Sequence, residues 1–220
     1  MRLARLPARA VPALLALALG SGLLLCAVSP VEAQRAAAGP PDWPCVQRLI
    51  PELAWGTLWT GPSLDDLEQR WWEDEEVGRV VRFAMSRDTP PEQALARVSD
   101  FVASLEDDEA EGRLTLLFAG LFELTDRQRG RAIASVRQAS RAQVARLDTI
   151  SAMVDELETL RAEAGASPEE IERLSDALFW EQRTFQLRQQ TLPAMCEQPY
   201  LLEETLSRMV RLIMERMPQR

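Results

Sequence analysis

The 220-residue chain has no histidine. It has no lysine either, so all 25 of its basic side chains are arginine. Without histidine no side chain of ordinary pKa titrates near neutrality for general acid–base work. Without lysine there is no amine for Schiff-base or phosphate chemistry. No G-x-S-x-G, P-loop or zinc-ligand spacing occurs. Carboxylate pairs alone support glycoside cleavage, but nothing in the sequence points to a sugar-binding cleft. The expectation is a protein that is not an enzyme and carries no cofactor. Alternating strand patterns of useful length are missing as well, as are internal repeats of fixed period. The fold class expected is therefore all-α.

Cysteine is scarce, with three residues. Cys26 lies in an N-terminal segment that reads as a secretory signal. Arg2, Arg5 and Arg9 precede an apolar run from about Val11 to Val28, and Val31-Glu32-Ala33 is a small-residue cleavage site of the A-x-A kind. Residues 1–33 are expected to be removed by cleavage between Ala33 and Gln34, and an uncleaved membrane anchor is the rival reading. A lipid anchor on Cys26 is disfavoured by the three leucines before it. Two cysteines then remain, Cys45 and Cys196. In an oxidising compartment an even pair is most simply a disulfide. A catalytic redox pair is disfavoured by the absence of C-x-x-C spacing. Arginine without lysine suggests a GC-rich bacterial genome, which would make the compartment the periplasm.

The full chain carries 34 acidic residues against 25 arginines, a formal charge of −9. Removing residues 1–33 takes away Arg2, Arg5, Arg9 and Glu32, which leaves 22 against 33, or about −11. Such a balance disfavours nucleic acid and anionic membranes as partners. No later stretch is long enough to span a bilayer, since LTLLFAGLFEL at 114–124 is too short.

Residues 34–62 are rich in proline and tryptophan, and an extended segment packed on the helices is expected. An exposed aromatic docking strip is the alternative. Residues 63–220 are expected to form a single helical domain. A first helix is predicted from Ser63, capped with Asp66 at its third position. It is followed, after a break near Glu73–Glu76, by a second that buries Val77, Val80, Val81 and Ala84. A third begins at Thr89, Pro90 and Glu92, runs to about Leu105 and turns Leu95, Val98, Phe101, Val102 and Leu105 inward. A fourth, short and apolar all round, covers Leu114 to Phe122 and belongs in the core. Gly120 within it implies close approach by a neighbour.

The longest feature is a helical hairpin over about 126–164 and 168–192. Thr125 and Gln128 have capping-box spacing. Ile133, Val136, Leu147, Ile150, Val154 and Leu157 then alternate by three and four, with Ser140 and Gln143 in register, as in a coiled coil. Gly165 follows the first arm, and Ser167, Pro168 and Glu170 open the second. That arm's stripe runs through Ile171, Leu174, Leu178, Glu181, Phe185, Arg188 and Leu192. Folding about residue 166 pairs Leu178 with Val154, Phe185 with Leu147, and Gln189 with Gln143. The seam residues Gln143, Leu147, Ile150, Phe185 and Gln189 are the candidates for a protein partner or self-association. Pro193 is predicted to kink or end the second arm, and a last helix to start near Pro199.

Two acidic clusters, around Asp65–Glu76 and Glu106–Glu111, lack the loop spacing of calcium sites. Met195, Met209, Met214 and Met217 have the softness for copper, but a helix uses methionine as readily to fill gaps.

Two resemblances complete the reading. Leu124-Thr125-Asp126-Arg127-Gln128 resembles the L-T-x-x-Q signature of small periplasmic stress chaperones, which usually carry it twice. It implies binding of unfolded clients as the alternative function. More broadly, D-W-P-C-V-Q at 42–47, W-x-G-P at 59–62, LTLLFAGLFE at 114–123 and C-E-x-P-x-L-L-E at 196–203 resemble an uncharacterised family of exported alphaproteobacterial proteins. That likeness implies membership and transfers no functional residue. The function expected is a non-catalytic periplasmic interaction or scaffold protein. A metal-binding or enzymatic role is a further alternative.

Overall fold

In the computed structural model, residues 39–218 are described, and they contain four α-helices, two short 3-10 turns and no strand. The expected signal segment, residues 1–33 with Ala33 at its end, and Gln34 lie outside the described residues. Helix α1 spans Glu75–Ala84, α2 Pro91–Ser104, α3 Asp107–Ala162 and α4 Pro168–Arg216. The 3-10 turns are Trp55–Thr57 and Leu64–Asp66. The class is all-α, with α3 and α4 packed along each other as a long helical hairpin.

Each helix start has a local cause. Asp74 caps α1, its carboxylate accepting from the N–H groups of Glu76 and Val77 at 3.0 Å. Proline fills the first position of α2 and of α4. Ser167 caps α4 by accepting from Glu170 N. Gly165 takes a φ of 102° in the turn between the long helices, where a Cβ would be strained.

The predicted helix from Ser63 is only the 3-10 turn Leu64–Asp66, with Ser63 Oγ accepting from Asp65 N. The buried stripe of α1 is the one expected; in α2 Val98, Phe101 and Val102 are buried as expected, but Ala94 is enclosed while Leu95 is only half-buried. The separate fourth helix and the Thr125 cap are corrected: α3 runs unbroken for 56 residues. No proline interrupts it, and Thr125 is fully buried, its hydroxyl donating to Met85 Sδ at 3.7 Å. Gln128 Nε2 donates to the Met85 carbonyl at 2.7 Å. The capping-box pair thus docks the end of α1 onto the middle of α3.

Helix α4 is continuous through Pro193 and Pro199, which corrects the break expected there. Each proline removes one intrahelical donor and would cost about 3 kcal/mol in an isolated helix. Tertiary anchoring on both sides outweighs that cost. Cys196 is tied between the prolines, and Leu206, Met209, Val210 and Ile213 are buried beyond them.

The main core joins α1, α2, the first third of α3 and the end of α4. Leu114, Leu117, Phe118 and Leu121 are fully enclosed. Trp59 stacks on Phe118 with ring centroids 4.3 Å apart. A Cβ on Gly120 would lie 2.8 Å from Val81 Cγ2 and 2.9 Å from the Trp71 ring, which is the close approach the sequence implied.

Candidate partner-binding surface

The base of the hairpin is clamped by the Pro/Trp-rich strip. Cys45 and Cys196 are bonded, with 5.6 Å between their Cα atoms. Around the bond, Trp43, Ile133 and Val136 form a small second core. Trp43, Cys45 and Trp59 are buried, so most of the strip's aromatic surface packs inward, while Val46 and Ile50 reach solvent. The strip's polar ends are held too. Arg129, 3 % exposed, binds Glu203 of α4 and donates to the carbonyls of Ile50 and Pro51. Nothing in the periodicity flagged Arg129, because an arginine on a helical stripe is ordinarily exposed. Asp42 is paired with Arg137 and Arg141. The Arg137 hydrogen bond is the main reason its carboxyl titrates below the ordinary value of 3.8.

Above this clamp the two arms extend for roughly 35 Å, at a rise of about 1.5 Å per residue. Gln143 is buried between them, its Nε2 donating to the Phe185 carbonyl at 3.1 Å. Arg146 pairs with Glu181. Both contacts lie about one turn from the expected pairing, whereas near the tip Arg161 Nη2 donates to Ser175 Oγ at 3.4 Å, offset the other way. Gln189 is exposed and makes no contact with Gln143, and Leu147 is 48 % exposed rather than packed under Phe185. Ile150 and Phe185 are half-buried. The symmetric fold about residue 166 ignored the polar pairs that align the arms. Gln143 Oε1 and Arg146 Nε are enclosed without a partner. Among the arm residues beyond Gln143, only Leu157 and Leu178 are buried apolar side chains.

Because the arms bury so little, apolar side chains face outward. Leu178 packs against α3, so Trp180, two residues on, points nearly the opposite way. Leu187 lies seven residues further on the same face. Trp180 is 65 % exposed, Phe179 58 % and Leu187 48 %. Phe179 and Trp180 meet edge to face at 5.3 Å. Val144 on α3 is also exposed, near the level of the Gln143–Phe185 contact. The exposed residues were not singled out in the sequence, where Phe179 and Trp180 fall between seam positions.

No known family model, curated protein or solved structure matches this chain.

The other candidates disperse. Arg113 gathers Asp74, Glu76 and Glu109, so the acidic residues nearest one another hold a guanidinium. Burial opposes the charge on Asp74, but the hydrogen bonds from Arg113 and from the Val77 and Glu76 amides outweigh it and lower its pKa. Among the described residues no group of His, Cys, Asp or Glu is arranged to hold a metal ion. Met209 is in the main core, Met214 and Met217 pack beside it, and Met195 lies by the disulfide. Among the described residues no helix is long and apolar enough to cross a membrane.

Proposed function

We propose that this chain is a non-catalytic interaction or scaffold protein of the bacterial periplasm, exported by its N-terminal signal. The helical hairpin presents the outer face of α4 to a protein partner or to a second copy of the chain. The carrying observation is the Phe179–Trp180–Leu187 stripe on a two-helix projection. Large aromatic side chains at more than half exposure are unusual on a surface that has no partner, and aromatics are enriched in interface anchors. The internal disulfide supports an oxidising compartment. Membership of the exported alphaproteobacterial family, carried by the motifs at 42–47, 114–123 and 196–203, belongs to the same proposal.

The test is a photo-crosslinking residue at position 180, expressed with the native signal, together with light scattering of the purified protein. A discrete crosslinked species, lost when Leu187 is replaced by Arg, is expected. A monomer with no crosslink would overturn the assignment. The chaperone-like alternative draws on the same exposed stripe. It predicts suppression of client aggregation at near-stoichiometric ratios in place of a discrete adduct.

A further inference from the structure

A groove of about 600 Å³ opens between the α1–α2 turn, the middle of α3 and the Met195–Thr205 stretch of α4. We propose that it binds a single-chain anionic amphiphile, with the charged head on Arg87 and Arg131 and the apolar tail directed inward along Leu202.

Charge supplies the first half of the case. Arg87 and Arg131 both line the groove, and neither makes an ion pair or hydrogen bond among the described residues. No Asp or Glu lines it. Several other described arginines are also unpaired, but on a chain of net charge −9 two guanidiniums lining one concavity that no carboxylate lines make a local positive site. The hydroxyls of Thr89 and Ser135 and the amide of Gln198 also line the groove without partners. Helix α2 begins at this rim, and its N-cap, Pro90, supplies no side-chain acceptor. Glu92 stands in the first turn of α2 and is held by Arg208, so the rim's positive charge rests on Arg87 and Arg131.

Shape supplies the second half. Pro91, Ala132, Met195, Leu201 and Leu202 supply the groove's apolar lining, with Pro91 and Leu201 exposed and the other three half-buried. A second cavity of about 100 Å³ shares Thr89, Pro91, Gln128, Leu202 and Thr205 with it and continues to Ala84, Ala94 and Met209. Arg87 and Arg131 are exposed, Thr89, Gln128 and Leu202 are half-buried, and Ala84, Ala94 and Met209 are buried, so the lining turns apolar toward the end of the second cavity. A peptide is a poorer fit than an acyl chain. The walls are mostly helices whose backbone groups are already bonded, so there is no sheet edge to receive a peptide's amides.

Isothermal titration of the purified, disulfide-bonded protein with laurate, below its micellar concentration, tests the assignment. One saturable site is expected. Replacing both arginines, Arg87→Gln with Arg131→Gln, should weaken it tenfold or more, the loss expected for charge-assisted hydrogen bonds. Dodecyl maltoside has the same tail and a neutral head, and should bind at least about tenfold more weakly. Thr205→Phe, which blocks the passage between the cavities, should also weaken laurate. Absence of saturable binding, equal affinity in the double-arginine variant, or equal affinity for the maltoside would each overturn the proposal. So would inorganic phosphate binding as tightly as laurate, or poly-glutamate binding more tightly. The surface arginine variants leave the core intact, so a loss of binding is separable from a loss of folding by circular dichroism.

Discussion

Removing the Cys45–Cys196 bond should be the most damaging small change outside the core. The bond closes a loop with a sequence separation of 151 residues, which contains α1, α2, α3 and more than half of α4. The chain-entropy relation for that length gives about 5 kcal/mol at 25 °C. Total stability of a domain is typically about 5–15 kcal/mol, so the link is a large share of it. The native geometry does not depend on the link alone. Arg129 still reaches the Ile50 and Pro51 carbonyls, Asp42 still pairs with Arg137, and Leu53 N still donates to Asp126 at 3.2 Å. A Cys45→Ala/Cys196→Ala variant should therefore fold to the same helix content and lose stability through its more open unfolded state. Urea unfolding followed by far-ultraviolet circular dichroism and tryptophan fluorescence should show a loss of about 3–5 kcal/mol with a somewhat larger m value. A loss under about 1 kcal/mol at unchanged m would refute the reasoning. It would mean that the strip leaves the helices before they unfold, so that the link never constrains the cooperative unit.

Other outcomes follow from single contacts. Gly120→Ala should destabilise by about 1–3 kcal/mol in thermal or urea unfolding, because the clash with the Trp71 ring and Val81 exceeds the helix-propensity gain. Arg129→Met should cost about 2–3 kcal/mol, less than for a fully enclosed pair since Glu203 keeps 33 % of its side chain exposed; a second change, Glu203→Leu, should recover part of the loss in a double-variant cycle. The lowered pKa of Asp74 means that its stabilising effect is complete above the unfolded value of 3.8 and is lost as pH falls through the lower folded value. The urea midpoint should accordingly drop below about pH 4, and Asp74→Asn should flatten that drop while lowering the midpoint at neutral pH. Phe179→Ser with Trp180→Ser should leave the unfolding free energy from urea titration within about 0.5 kcal/mol of the parent, because both residues are exposed, while abolishing any hairpin-mediated association.

Much of the architecture is legible because it depends on local periodicity. The buried faces of α1 and α2, the turn at Gly165 and the enclosed run at Leu114–Leu121 each follow from spacing and propensity within a dozen residues. Away from that turn, the helix starts and stops expected inside 107–216 are not legible in the same way. Thr125, Gln128, Pro193 and Pro199 carry local signals for starts and stops, and all four lie within continuous helix. Those signals are worth one to a few kcal/mol each, and the packing of α1 on α3 and of the α4 end on the main core exceeds them. The outward stripe at Phe179, Trp180 and Leu187 was hidden for a related reason: an apolar residue between seam positions looks like core until the neighbouring helix is placed.

The sequence by itself determined the all-α class, the absence of histidine and lysine chemistry, the hairpin and which cysteines were left to pair. Composition and short-range spacing suffice for these, since they require no knowledge of what lies opposite. Tertiary structure alone decided the register of the arms, the burial of Arg129 and the convergence of Arg87 and Arg131 on one groove. Each depends on residues 40 or more positions apart meeting in space. A one-turn slide of one helix along the other leaves every local pattern unchanged while exchanging which side chains face each other.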